Sequence, residues 1–113
     1  MIISGGFNVY PQMIEQAVYE HSAVEECLVV GVPDSYRGEN AKAFVKLRSG
    51  AEPFTIEELQ AFLKDKLGRH EMPQALEIRA ALPRTAVGKL SKLELREEER
   101  RKAAEAAGQR GAA

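Results

Sequence analysis

The sequence predicts an α/β (α+β) fold: a small mixed sheet, mostly three-stranded, containing an antiparallel hairpin and flanked by helices. Three observations predict it. The run "VEECLVVGV", residues 24–32, is rich in β-branched residues and almost continuously apolar, the pattern of a strand covered on both faces. Turn residues follow in "PDSYRGE", and then "NAKAFVKLRSG" alternates between apolar and charged positions. On either side of this pair, apolar residues recur at helical rather than strand spacing.

Each element has its own signal. Pro11 suits a first helical turn, where its missing N–H costs nothing. Met13, Ile14, Ala17, Val18 and His21 then fall on one face, which predicts a helix over residues 11–21 with Glu15 and Glu20 elsewhere on its surface. In the alternating segment, Ala41, Ala43, Val45 and Leu47 point one way, while Lys42, Phe44, Lys46 and Arg48 make a half-solvated face. Two strands joined by a short turn favour an antiparallel hairpin. "TIEE" is a capping box, with Thr55 as N-cap and Glu58 answering it, and it opens a helix with Ile56, Leu59, Phe62, Leu63 and Leu67 buried. Gly68 ends that helix. "QALEIRA" is a short strand with Leu76 and Ile78 inward. Ser91 and Glu94 form a second capping box, so a last helix begins near Lys92. Beyond Arg96 the charged tail has helix propensity but no apolar stripe, so residues 97–113 read as a fraying helix and then a disordered tail. Residues 1–96 make the one domain.

Composition narrows the function. The 113 residues suffice for one domain, 44% of them are hydrophobic, and the net charge of −1 argues against a nucleic-acid binder. The single cysteine, Cys27, forbids an intramolecular disulfide and sits in an apolar run, where it reads as a small buried hydrophobe rather than a nucleophile. No apolar run approaches the roughly 18 residues of a membrane span, and the start lacks a basic leader. A soluble cytoplasmic domain is expected. His21 and His70 have no cysteine or carboxylate at ligand spacing, so they read as packed or surface residues and no metal site is expected. The pairs and runs Glu57-Glu58 and Glu97-Glu98-Glu99 read as solvated helix surface.

One loop asks for more. "LPRTAVGKLSK", residues 82–92, sets Gly88 directly before Lys89, with Pro83, Arg84 and Thr85 ahead of them. A phosphate-cradling P-loop is excluded, because Pro83 stands where that motif needs its first glycine and Leu90 where it needs serine or threonine. On residues alone a solvated loop with incidental lysines stays open.

Three stretches in order resemble the C-terminal domain of the adenylate-forming enzymes, which include acyl- and aryl-CoA synthetases, peptide-synthetase adenylation domains and luciferases. They are "SGGFNVYPQMIE", "VEECLVVGVPDSYRGENAKAFV" and "LPRTAVGKLSK". The last is similar to that family's signature of Pro, Arg or Lys, Thr, two variable residues, then Gly-Lys. The resemblance is greatest to fatty-acid CoA ligases. It implies a lid that closes over a large N-terminal domain holding ATP, Mg2+ and the carboxylic acid, and a chain that binds no cofactor and is inactive alone. Lys89 then corresponds to the lysine that stabilises charge when the carboxylate attacks the α-phosphate. Gly88 would let the backbone turn, Pro83 stiffen the entry, and Thr85 tie the loop to its own backbone. Arg84 either contacts the partner domain or is solvated. Ser4, Gly5, Gly6 and Phe7 correspond to the loop that lines the pantetheine tunnel when CoA attacks the acyl-adenylate. Phe7 packs either at the tunnel wall or under the first helix.

Asn8 stands where many relatives have arginine, Met13 where an acid is common, Ser22 where proline is frequent, and Lys92 for a more frequent arginine; Glu15 is retained. The family's charged hinge residue would precede Met1, so the chain looks cut at the hinge. Two other readings remain: an adenylation domain that loads a carrier protein, and a non-catalytic α/β interaction module.

Overall fold

The computed structural model describes residues 2–4, 6–34 and 38–112, with the backbone alone for Ser4, Phe7, Asp34 and 106–112. Gly5 and the turn residues 35–37 therefore lie outside the described residues. The elements are β1 (Ile2–Ser4), β2 (Phe7–Val9), α1 (Pro11–Tyr19), β3 (Val24–Asp34), β4 (Gly38–Leu47), α2 (Ile56–Leu63), a 3-10 turn (Arg69–Glu71), β5 (Ala75–Ile78) and α3 (Leu93–Ala112).

β3 and β4 form the antiparallel pair, in register from Glu26 opposite Lys46 to Asp34 opposite Gly38. β5 runs parallel to β4, pairing Lys42 with Ala75 through Val45 with Ile78. The three strands are the mixed sheet that the sequence predicts. The β1–β2 hairpin extends it to five strands through a single pairing of Ser4 with Gly38.

Both faces of this sheet are covered. On one, α1 and α2 bring Ile14, Val18, Leu59 and Leu63 against Val24, Cys27, Val29, Ala43 and Val45. On the other, Leu28, Val30 and Phe44 pack with Leu82 and with Leu95 of α3. The face of β4 expected to be half-solvated is thus dry at Phe44, which is 0% exposed, because α3 lies across it. The cations Lys42 and Arg79 flank the Phe44 ring at 4.8 and 5.2 Å from its centroid, adding cation–π attraction at the border of this small core.

α1 starts as its proline predicts, with Pro11 after an extended Tyr10. It ends at Tyr19, so His21 lies just beyond it, stacked 4.7 Å from Phe54 and edge-on to Phe62, with Nδ1 accepting from the Ala23 amide at 3.1 Å. The Thr55 box is complete: its hydroxyl accepts from the Glu58 amide at 3.2 Å, and the Glu58 carboxylate accepts from the Thr55 amide at 3.1 Å. α2 stops at Leu63 rather than at Gly68, although the Leu67 amide still donates to the Leu63 carbonyl. Gly68 instead caps the 3-10 turn, donating its amide to Glu71 at 3.0 Å.

β3 is an edge strand, and its outward groups are met by side chains. Tyr19 Oη accepts from the Cys27 amide at 3.0 Å, Glu15 accepts from the Val29 amide at 2.8 Å, and Pro33 has no N–H to offer. Glu15 also pairs with Lys92 at 2.8 Å, so a carboxylate read as helix surface joins α1 to the entry of α3 around the sheet edge.

α3 docks despite its lack of an apolar stripe. Leu95 is fully buried, and an ion network does the rest. Lys42 pairs with Glu99 and, at 3.1 Å, with Glu77; Arg79 pairs with Glu77 and Glu98; Lys102 reaches Glu77 at 3.4 Å and Glu99 at 3.5 Å. Glu99 is only 8% exposed, which corrects its reading as solvated surface. It is buried because Lys42 projects from β4 towards α3 and needs a counter-charge there.

Two predictions follow from this packing. Burial works to raise the Glu77 pKa, but hydrogen bonds from Lys42 and Arg79 outweigh it and hold it below the ordinary 4.5; the Arg79 hydrogen bond holds Glu98 below 4.5 as well. Folded values below unfolded ones mean that their stabilisation is full above roughly pH 5 and is lost as pH falls through the folded values. The urea midpoint of the chain should therefore drop in acid, and Glu77→Gln should flatten part of that drop. The second concerns Cys27, which is 1% exposed, its pKa pushed up by burial and the Glu15 carboxylate to about 12. At pH 8 only about one thiol in ten thousand would be ionised, so Cys27 should resist a maleimide or disulfide probe in the native chain and react once unfolded.

Candidate functional site

Residues 82–92 fold into a miniature hairpin. Its root is apolar: Leu82 is 5% exposed and Leu90 packs against the same cluster as Phe44 and Leu95. From that root, Arg84 pairs with Leu90 in an antiparallel bridge, and the Ser91 amide donates to the Pro83 carbonyl at 2.9 Å. The Thr85 amide donates to the Lys89 carbonyl at 2.7 Å, and the Gly88 amide closes the turn on the Thr85 carbonyl at 2.9 Å. Gly88 has φ +85°, the left-handed conformation that a three-residue hairpin loop asks of its last residue.

Side chains then fix the turn. The Thr85 hydroxyl accepts from the Lys89 amide at 3.2 Å. Arg84 Nη1 donates to the Gly88 carbonyl at 2.8 Å, and its Nη2 pairs with Glu26 on β3. Pro83, Arg84, Thr85, Gly88 and Lys89 thus form one braced unit. The tip is bare: Val87 is 81% exposed, and Lys89 is exposed with no hydrogen-bonding or ionic partner for its ammonium among the described residues. Such a group is a mobile positive charge on a long stem, offered outward.

The second predicted group lies on the β1–β2 hairpin. Ile2 pairs with Val9, Ile3 with Asn8 and Ser4 with Phe7, and Gly6 lies in the turn. Ile2 and Val9 are buried and root the hairpin, while the Glu39 carboxylate accepts from the Ile3 amide at 3.2 Å. Gly6 has φ +85°, and a Cβ built there would meet nothing within 4 Å among the described residues. Gly5 lies outside the described residues, as do the side chains of Ser4 and Phe7. Ile3, Tyr10 and Met13 are each about half exposed nearby, at 49%, 52% and 53%.

The two groups are not brought together. The lysine hairpin is braced at Glu26, opposite Lys46, and the glycine hairpin joins the sheet at Gly38, opposite Asp34. These are the two ends of the β3–β4 ladder, about 27 Å apart along the strand at ~3.4 Å per residue. A cleft of about 390 Å³ lined by Ile2, Pro11, Gly31, Pro33, Glu39, Arg96 and Arg100 contains no predicted site residue. Among the described residues no group of three or more His, Cys, Asp or Glu side chains could hold a metal ion, and no helix is long and apolar enough to cross a membrane.

Sequence reasoning missed Glu26. Its partner is Arg84, 58 positions away, and a pair so distant leaves no periodic trace in one chain. The visible hint was two adjacent acids at the start of an otherwise apolar strand, of which Glu25 pairs outward with Lys46 at 2.7 Å.

Comparison with known proteins identifies the family. The model of the AMP-binding enzyme C-terminal domain matches residues 13–89, ending on Lys89. The chain is 54% identical over 99 residues to a long-chain-fatty-acid–CoA ligase of Bacillus subtilis, covering 88% of this chain and 18% of that protein. It is 42% identical over 102 residues to the corresponding ligase of Salmonella typhimurium, covering 90% and 18%. Among solved structures, an acyl-CoA synthetase of Brucella canis superposes with a TM-score of 0.84 at 40% identity, over 90% of this chain and 19% of that one. A fatty acyl CoA synthetase of Mycobacterium tuberculosis gives 0.79 at 36%, over 87% and 19%. The chain thus spans less than a fifth of the length of these relatives, and a larger N-terminal body is implied. With the fold, the braced Gly-Lys turn and the matched residues in agreement, the chain belongs to the AMP-binding enzyme C-terminal domain family.

Proposed function

We propose that residues 1–96 form the closing lid of an ATP-dependent fatty-acyl-CoA ligase, with residues 97–113 as an appendage, and that the chain has no turnover alone. The observation that carries the reading is the exposed Lys89 near the tip of a hairpin whose Arg84 and Thr85 side chains are both tied down. In the first half-reaction a carboxylate oxygen attacks the α-phosphorus of ATP and pyrophosphate leaves. Charge builds on the phosphoryl oxygens, and a positioned ammonium stabilises that transition state more than the ground state. ATP, its Mg2+ and the acid sit on the larger body, and Lys89 reaches them across the interface.

In the second half-reaction the thiol of CoA attacks the acyl carbonyl and AMP leaves. The lid then presents the opposite end of its ladder, where Ser4, Gly5, Gly6 and Phe7 border the path of the pantetheine arm. A bare glycine keeps that path open. The relatives named above are CoA ligases, which supports free CoA as the acceptor and disfavours both a carrier-bound thiol and a module without chemistry. ATP and CoA as substrates support a cytoplasmic enzyme.

In the full-length enzyme, Lys89→Ala should slow ATP–pyrophosphate exchange by on the order of a hundred- to a thousandfold. Thioester formation from added acyl-adenylate should be largely unchanged; equal loss in both half-reactions would overturn the assignment. Gly6→Ala should do the reverse. Its methyl meets nothing among the described residues, so within the lid it costs only the left-handed backbone penalty of about 1–2 kcal/mol. Thioester formation should slow while pyrophosphate exchange holds, and unchanged thioester formation would refute the tunnel role.

A further inference from the structure

Lys89 has no partner for its ammonium among the described residues, so what is fixed of its side chain is the Cα–Cβ bond from which the stem starts, and the backbone fixes it. That backbone is held at one peptide plane. The plane joins the Gly88 carbonyl to the Lys89 amide, and a trans peptide moves as a rigid unit. Arg84 Nη1 holds the carbonyl at 2.8 Å, and the Thr85 hydroxyl holds the amide at 3.2 Å. The Thr85 amide holds the far side of the residue, donating to the Lys89 carbonyl at 2.7 Å, so rotation about the Lys89 N–Cα bond is confined and its Cα–Cβ bond has one direction.

Thr85 belongs to the hairpin and would move with it. Arg84 does not only serve the hairpin: its other arm reaches Glu26. Glu26 stands in the β3–β4 ladder opposite Lys46, its side chain 15% exposed, with Lys46 Nζ 4.0 Å from its second oxygen. The guanidinium therefore ties the peptide plane before Lys89 to the β3–β4 ladder at Glu26, a strand outside the hairpin. A planar fork makes the two contacts with separate nitrogens in a fixed geometry, whereas a lysine would have to bridge both acceptors with one ammonium.

We propose that Arg84, anchored by Glu26, is the positioning residue that aims Lys89 for the adenylation step. The proposal rests on the role given to Lys89 above and adds how its direction is set. Stability is not the purpose of this pair. Arg84 is 47% exposed, and solvent screens an ion pair so placed. Aim is worth more, since a misplacement of about 1 Å at a reacting group can cost on the order of a hundredfold in rate.

The test uses the full-length enzyme with Arg84→Ala, Arg84→Lys, Glu26→Gln and Lys89→Ala. Arg84→Ala should lower kcat for pyrophosphate exchange by about 10- to 100-fold. KM for ATP and the rate of thioester formation from acyl-adenylate should hold, the latter also showing that the lid is folded. Glu26→Gln, which keeps size and shape, should lose less in the same direction. Arg84→Lys should fall between Arg84→Ala and the parent. Added to Lys89→Ala, Arg84→Ala should cost nothing further, because there is no ammonium left to aim. A wild-type exchange rate in Arg84→Ala, equal losses in both half-reactions, a raised KM for ATP with kcat unchanged, or a full additional loss on top of Lys89→Ala would each overturn the proposal. Should Lys89→Ala itself leave exchange intact, the assignment of Lys89 fails; should Lys89→Ala abolish exchange while Arg84→Ala does not, only the positioning role fails.

Discussion

From Glu26 opposite Lys46 to Asp34 opposite Gly38, β3 and β4 are paired residue for residue, and the centre of that ladder is dry on both faces. The rest of the chain is hung from this pairing. Cys27, Val29, Ala43 and Val45 give α1 and α2 a surface, and Leu28, Val30 and Phe44 give α3 another. Each hairpin that carries a candidate site residue is rooted in one of those two clusters, Ile2 and Val9 in the first, Leu82 and Leu90 in the second. A slip of one residue in the ladder would exchange the two faces and leave both hairpins without a root.

The open side of β3 would be a hazard in such a small sheet, since unpaired strand edges invite pairing with other chains. Tyr19 and Glu15 occupy that edge from α1, and Glu15 carries on to Lys92. One carboxylate thereby satisfies a backbone amide and fastens the two helical layers together. Losing it would expose a strand edge and loosen the approach to α3 at the same time.

Much of this was legible in the sequence because it obeys short-range rules. The Thr55 capping box, Pro11 at the start of α1, the doubly covered β3 and the buried Cys27 all depend on residues within a turn or a strand of one another. What was not legible depends on partners far along the chain. Phe44 is dry because Leu95 arrives from α3, and Glu99 is buried because Lys42 waits for it 57 positions away. Neither fact has a period. The end of α2 was misplaced for another reason: Gly68 has the look of a helix stop, yet α2 ends at Leu63 and Gly68 serves the next element, capping the 3-10 turn with the Glu71 carboxylate. The placement of the Gly-Lys turn was readable from the motif, but its brace on Glu26 was not, for the same reason as Glu99.

The distance between the two hairpins has a mechanical meaning. A rigid body carrying tools at its opposite ends can bring only one of them to a given point at a time. The ladder's length is then a minimum stroke, and every turnover that used both ends would include a swing of at least that reach. In such a device the order of events is enforced by geometry, with no separate signal needed to keep the second step from starting before the first has ended.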